Sequence, residues 1–369
     1  MASVAWGLSA QPLSPAPHAT TETRPQPAAA PEAPAPAIAL ILPSQHTVFA
    51  RAAEAVRQGF FSASEAAGNR VPIQVLEVDD DPAQLRAAIG GALQRGVKTL
   101  VGPLPRSGVN AVIDGGFASP PLVALNYPDR DAAAPPTMIA LGVSAESEAQ
   151  YVVRIALAEF VGTRRSPGSS PRFVVLAGSA ALERRIAQAY VAALRAGGES
   201  PLVIDAAVER GERLARQLDP ERHEAVFLAL DARDAAQLRA RIPRPILIFG
   251  TSLLNAGSGA TTPEATALAH DLDGVRFVDM PWLLRPDAST GAGGPLPAAP
   301  LPVDLARLYA LGVDAYQVAQ RWSNGETRFT VEGMMGRLRV DRSAGPRVER
   351  TPAAAIYRNG AIEREEIGR

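Results

Sequence analysis

The sequence predicts an α/β protein of two lobes, each a mostly parallel sheet flanked by helices. Three observations predict it. The runs Thr99-Leu-Val-Gly-Pro-Leu104 and Pro121-Leu-Val-Ala-Leu-Asn-Tyr127 are apolar throughout and end in turn residues, as strands buried on both faces do. Such runs alternate with segments of helical spacing, which is the pattern of βαβ units with right-handed crossovers. The alternation then starts again after a polar loop at Arg164 to Pro171, so two similar lobes are expected without any visible sequence repeat.

The first series opens with Ile38 to Leu42, an apolar run stopped by Pro43. Val48, Phe49, Ala52, Ala53, Val56 and Phe60 follow at helical spacing. Ile73 to Val78 is a strand, and Pro82 to Arg95 a helix with Leu85, Ile89 and Leu93 on one face. Proline suits that first turn, where its missing N–H would have no intrahelical partner. Val97 to Val101 is the third strand, Gly108 to Ile113 a short helix, and Pro121 to Leu125 the fourth strand. Past the short apolar segment Met138 to Leu141, Ser144 caps a helix whose first turn holds Glu146 and Glu148, where negative charge suits the helix dipole. Ala149, Val152, Val153, Ala156 and Phe160 form its buried stripe.

In the second series, Phe173 to Leu176 is a strand and Ala180 to Ala196 a helix with Leu182, Ile186, Ala189, Tyr190 and Leu194 inward. Leu202 to Ile204, Ala225 to Leu230 and Ile246 to Phe249 are strands; Arg210 to Leu218 and Ala232 to Arg241 are helices. Val275 to Pro281 reads as a further strand, and Ser289 to Pro302 as a Gly/Pro/Ala loop. Asp304 to Trp322 is a strongly amphipathic helix burying Leu305, Leu308, Tyr309, Gly312, Ala315, Tyr316 and Ala319. Short strands at Gly336 to Val340 and Ala354 to Tyr357 close the chain, so a long helix and a hairpin return across the lobes. The expected division is a Pro/Ala-rich tether at 1–37, a first lobe of 38–141 plus about 257–325, and a second of 142–256 plus about 326–360.

Composition narrows the function. The 369 residues suffice for two domains with real cores, and a net charge of −1 without a basic cluster argues against nucleic acid. Lys98 is the only lysine among 37 basic residues. The absence of cysteine excludes disulfides, thiolate metal sites and cysteine nucleophiles. No apolar run approaches a membrane span. Met1 to Ala10 is mildly apolar with a small-residue Leu8-Ser-Ala10 but no basic start, so a trimmed signal-peptide remnant and an arbitrary disordered start both stand.

Catalytic patterns are missing: no His-Glu-x-x-His, Walker loop or Gly-x-Ser-x-Gly elbow occurs, and no cofactor or metal is expected. Gly257-Ser-Gly259 and Gly291-Ala-Gly-Gly294 do not join strand to helix, and the four histidines lack ligand spacing. In open α/β sheets ligands sit beyond the carboxyl ends of the strands. The candidates are therefore Ser44, Gln45, Arg106, Ser107, Asn126 and Tyr127 in the first lobe, and Ser179, Asp231 and Thr251 in the second. Facing each other, these loops and helix N-termini suit a carboxylate or other anion, with Asp231 placed for an amine. Trp282 falls where the chain crosses between lobes and so lines the hinge. The same residue types also serve as N-caps, turn formers and packing, and both roles stay open.

With these elements in place, the chain resembles the type I periplasmic binding protein fold, and more closely the C-terminal domain of the lipoprotein activators of class A penicillin-binding proteins. The residues carrying the resemblance are Ile38-Ala-Leu-Ile-Leu-Pro43, Val56-Arg-Gln-Gly-Phe60, Leu100-Val-Gly-Pro-Leu104, Val123-Ala-Leu-Asn-Tyr127, Asp279-Met-Pro-Trp282, Leu308-Tyr-Ala-Leu-Gly-Val-Asp-Ala-Tyr316 and the hairpin-like Gly333-Met-Met-Gly-Arg-Leu-Arg-Val-Asp341. It spans about residues 38 to 360. The resemblance implies a non-enzymatic periplasmic protein, often at the outer membrane, that contacts a bifunctional peptidoglycan synthase and raises its cross-linking. Two departures stand beside it: there is no lipobox cysteine, and only residues 1–37 precede the first strand, where longer members carry a helical-repeat domain. The alternative on the same fold is a solute-binding protein for an amino acid or related small anion in the inter-lobe cleft.

Overall fold

The computed structural model describes residues 1–2 and 37–365, apart from 69–70, 80, 117–119, 130–133, 161–171, 209–210, 256, 258–261 and 285–293. The expected tether, the 164–171 loop and most of the 257–259 and 291–294 glycine stretches lie outside the described residues. The chain divides into two units, Met1–Pro34 and Ala35–Arg369, and the described helices and strands lie in the second.

Sheet one holds β1 (Ile38–Leu42), β2 (Ile73–Glu77), β3 (Thr99–Val101), β4 (Leu122–Ala124) and β5 (Met138–Ala140), all parallel in the order β2-β1-β3-β4-β5. Every residue of β1 is buried because successive side chains enter opposite cores. Ile38, Leu40 and Leu42 face α1 (Ala50–Ala66), whereas Ala39 and Ile41 face α2 (Pro82–Gln94) and α3 (Arg106–Asp114). Asp81 accepts from the N–H of Ala83 at 2.7 Å to cap α2, with Pro82 at its first position.

From β5 the chain passes to α4 (Ala145–Glu159), capped by Ser144, which accepts from the N–H of Ser147 at 3.1 Å. Sheet two is then built from β6 (Phe173–Ala177), α5 (Ala181–Ala196), β7 (Leu202–Asp205), α6 (Glu212–Gln217), β8 (Ala225–Ala229), α7 (Ala232–Arg239), β9 (Leu247–Gly250), α8 (Pro263–Asp271) and β10 (Val275–Asp279). One face packs on α4 and α5, the other on α6, α7 and α8. After β10 comes α9 (Val303–Ser323), then β11 (Arg328–Gly333), β12 (Gly336–Asp341) and β13 (Glu349–Thr351), an antiparallel sheet three. Finally β14 (Ala353–Arg358) and β15 (Ala361–Glu365) extend sheet two into the order β15-β14-β10-β9-β8-β6-β7.

Three expectations are corrected here. Segment 257–325 does not go with the first lobe as a whole: β10 pairs in parallel with β9, and α8 packs on sheet two. From this segment α9 returns to sheet one, where it lies along α1, and Met280, Trp282, Leu283 and Leu301 pack into the same core. Segment 326–360 is split as well. Phe329, Val331, Leu338 and Val340 of sheet three bury into the core shared by α1 and α9, while β14 pairs with β10. Strands 336–340 and 354–357 therefore sit in different sheets, and the hairpin is β11–β12 around Gly333 and Gly336.

Two side-chain expectations also fail. Leu182 is exposed, because Glu183 takes the inward place in the first turn of α5 and accepts from the N–H groups of Ala180 (2.9 Å) and Asp231 (3.2 Å). Val48 and Phe49 precede α1 and are exposed.

The α1–α9 pair is the tightest joint in the first lobe. A Cβ on Gly59 would fall inside contact distance of the Tyr309 carbonyl, and one on Gly312 inside that of Val56. Two glycines thus let the helix backbones touch, and Phe60 meets Tyr316 edge-on at 5.3 Å between ring centres.

Candidate functional site

The carboxyl ends of sheets one and two face each other, and Glu146 shows it. This residue, in the first turn of α4, lies 3.7 Å from Arg106 of α3 and 2.9 Å from Arg185 of α5. Arg106 starts α3 beyond the end of β3, whereas Arg185 lies one turn into α5 beyond β6. Burial pushes the Glu146 carboxyl up, but hydrogen bonds from its own backbone and from Ser144 and the charges of Arg185 and Arg106 outweigh that and hold it below its ordinary value.

The structure brings part of the candidate set to this place. Arg106 also pairs with Asp129 at 3.3 Å. Asn126 donates to the Leu104 carbonyl at 3.1 Å and accepts from the N–H of Tyr127 at 3.0 Å, so it closes its own loop. Tyr127 is buried, its hydroxyl donating to the carbonyls of Gly142 (3.3 Å) and Val348 (3.5 Å). Its ring carries the guanidinium of Arg347, 4.2 Å from the ring centre. Burial raises the Tyr127 hydroxyl pKa, against the opposing charges of Arg347 and Arg350.

Other candidates lie elsewhere or serve the backbone. Ser44 donates to Asp79, and exposed Gln45 lines a separate groove of about 510 Å³ between α1, β2 and the start of α9, with Pro43, Arg51, Glu54, Leu301 and Leu305. Ser107 is exposed in the first turn of α3. Ser179 is exposed, and its carbonyl accepts from Arg184. Asp231 caps α7, accepting from the N–H of Asp234 at 2.8 Å. The carboxylates of Glu183, Asp231 and Asp234 lie within 4.8 Å of one another, and the bonds of Glu183 and Asp231 to backbone N–H groups account for that closeness. Thr251 is buried and accepts from the N–H of Leu253 at 3.4 Å. Trp282 follows β10 in a 3-10 turn, its ring centre 6.4 Å from that of Tyr309. Among the described residues its indole N–H is buried without a partner.

Sequence reasoning missed the buried charges beneath the cleft. Glu148 of α4 pairs with Arg350 of β13 and accepts from the N–H of Ser252 at 3.0 Å. Arg307 of α9 pairs with Asp279, at the end of β10, at 2.7 Å, and donates to the Ser252 carbonyl at 2.9 Å. Asp314, buried in the middle of α9, accepts from the N–H groups of Met334 and Met335, both at 2.8 Å, and so pins the β11–β12 turn. A Cβ on Gly333 would collide with that carboxylate. A charged residue inside an otherwise apolar helical stripe, as in Leu311-Gly-Val-Asp-Ala-Tyr316, was the available signal for Asp314.

Two α/β lobes joined by three crossings of the chain, with strand ends opposed across a cleft, define the class of type I periplasmic binding proteins. Within it, the chain belongs to the family described as "LppC putative lipoprotein", whose model matches residues 28–360. It is 25% identical over 354 residues to the "Penicillin-binding protein activator LpoA" of Photobacterium profundum, covering 88% of this chain. The chain spans only 56% of that curated relative's length. Among solved structures it is similar to the LpoA (YraM) C-domain from Haemophilus influenzae, described as a regulator of PBP1A. That likeness has a TM-score of 0.70 at 21% identity, covers 89% of this chain and 99% of that one, and speaks for the fold. It is also similar to a "putative branched-chain amino acid ABC transporter" from Chromobacterium violaceum, with a TM-score of 0.66, 29% identity and coverage of 86% and 99%.

Proposed function

We propose that this chain is a non-enzymatic periplasmic regulator that docks on a class A penicillin-binding protein and raises its cross-linking of peptidoglycan. The observation that carries this reading is the state of the cleft, in a family whose curated relative is named an activator. Arg106, Asn126 and Tyr127 are engaged with Asp129, Glu146, Leu104, Gly142 and Val348. Groups spent on one another support a body that binds by its surface over one that closes on a solute. A docking interface of ordinary size would bury about 1,600 Å² in all. Placement in the periplasm, on the outer-membrane side, belongs to the same proposal and is supported by the lipoprotein family.

The test is peptide cross-linking by the same organism's class A penicillin-binding protein, with and without a stoichiometric amount of this protein. A clear rise, together with co-purification of the two, is expected. Unchanged cross-linking with no co-purification overturns the reading. The alternative, a binder of amino acids or related anions, is favoured by the likeness to the transporter-associated structure from Chromobacterium violaceum.

A further inference from the structure

We propose that the two lobes are latched by charge, lobe two supplying carboxylates and lobe one arginines, so that the body moves as one unit instead of opening and closing about its hinge. Lobe one is taken as sheet one with α1–α3, α9 and sheet three; lobe two is sheet two with α4–α8.

Three carboxylates of lobe two each hold an arginine of lobe one. Glu148 holds Arg350, with side chains 1% and 5% exposed. Asp279 holds Arg307, with side chains 0% and 9% exposed. Glu146, at the rim, holds Arg106 while Arg185 grips it from its own lobe. The first two pairs form one network through Ser252, whose N–H donates to Glu148 and whose carbonyl accepts from Arg307.

Asp279 and the two buried arginines are also held within their own lobes. Asp279 accepts from the N–H of Met280 and the amide of Asn255, both at 2.7 Å. Arg350 donates to the Met335 carbonyl at 3.3 Å, and Arg307 pairs with Asp304 of its own helix at 3.0 Å. A hinge opening that separated α9 and β13 from α4 and β10 would strip Glu148 and Asp279 of their counter-charges and leave them only the partners of their own lobe. Leaving a buried charge unpaired is strongly unfavourable, whereas a pair kept intact holds its geometry. The lobes of a solute trap must part to admit a ligand, and this arrangement opposes that motion whatever partner the protein has.

The chain has no cysteine, so a labelled pair is introduced directly as Ala87→Cys on α2 and Gln188→Cys on α5, both exposed, one on each lobe. Spin-label distances between them are measured in the full chain, alone and with Asp279→Asn, Glu148→Gln or Glu146→Gln. A single narrow distance is expected in the parent, with a broadened or second, longer population in Asp279→Asn and Glu148→Gln. A broad or two-peaked parent, or buried-pair variants that fold and keep the parent distance, overturns the latch. If a buried-pair variant loses cooperative unfolding, Glu146→Gln at the rim decides: widening supports the latch, and an unchanged distribution rejects it.

Discussion

Asp314 is the residue whose chemistry reaches furthest from its position. Burial pushes its carboxyl up to about 7 from an ordinary 3.8, against the N–H bonds from Met335 and Met334 and the charge of Arg350. The folded state therefore binds the proton more readily than the unfolded chain does. Its contribution to stability is fully present below about pH 4 and is lost as the pH rises through about 7. For Asp314→Asn this site has no proton to lose, so the advantage of the parent over the variant shrinks from pH 4 to pH 8, by on the order of 2–4 kcal/mol. Urea unfolding of both proteins across that range checks it, and a difference that grows with pH rejects the assignment. At low pH the variant remains the weaker, because one amide oxygen cannot accept both N–H groups and an unmet buried donor costs about 1–3 kcal/mol. The candidate residues were legible only as strand-end positions. Arg106 pairs with Glu146 and Tyr127 is buried, whereas the side chains of Asp231 and Thr251 accept from local backbone N–H groups, a need the same residue types satisfy equally well.

At the scale of elements, the glycines of α1, α2 and α9 separate two effects of one substitution. Gly312→Ala places a methyl against the backbone of α1, where no flexible side chain can yield. Overpacking of this kind costs about 1–3 kcal/mol, or roughly 1–4 °C in Tm for a chain of this length. Gly90 lies inside α2 with nothing within 4 Å of an added Cβ, so Gly90→Ala gains about 0.5–1 kcal/mol by restricting the unfolded chain. Thermal melts of the two variants should move in opposite directions, and equal shifts would show that the α1–α9 contact is looser than its geometry. Among the strands read from the sequence, β1, β3, β4, β6, β8 and β9 were the plainest, because they are buried on both faces and leave a continuous apolar run. Those missed carry weaker signals. β11 alternates strictly as Arg-Phe-Thr-Val-Glu-Gly because only one face is buried, and β15 is largely polar at the sheet edge. α8 was announced only by its Thr262 cap and Pro263.

Across the whole molecule, the two-lobed architecture was legible because each βα series contains its own neighbours in sequence, whereas the later crossings depend on pairings between distant strands. β10 joins β9 and β14, and sheet three covers α9, for reasons of register and burial that no local window contains. That return path places Arg307, Asp314 and Arg350 under the cleft, and it bears on what the cleft takes up. A binder of free amino acids needs unengaged hydroxyls or charges at the strand ends of both lobes. Here Tyr127 is spent on Gly142 and Val348, Asn126 on Leu104, and Arg106 on Asp129 and Glu146. An amino acid entering this space would have to displace Glu146 from two arginines while offering only one carboxylate in return. We therefore expect a thermal-shift screen of the common amino acids to leave Tm unchanged at millimolar concentration. A ligand at a hundred times its Kd would add about 2.7 kcal/mol, a rise of roughly 3–4 °C in a chain of this length. A shift of that size for a branched-chain amino acid would move the protein to the solute-binding reading. The same rise in Glu146→Gln but not in the parent would instead show that the Glu146 carboxylate is what excludes the ligand.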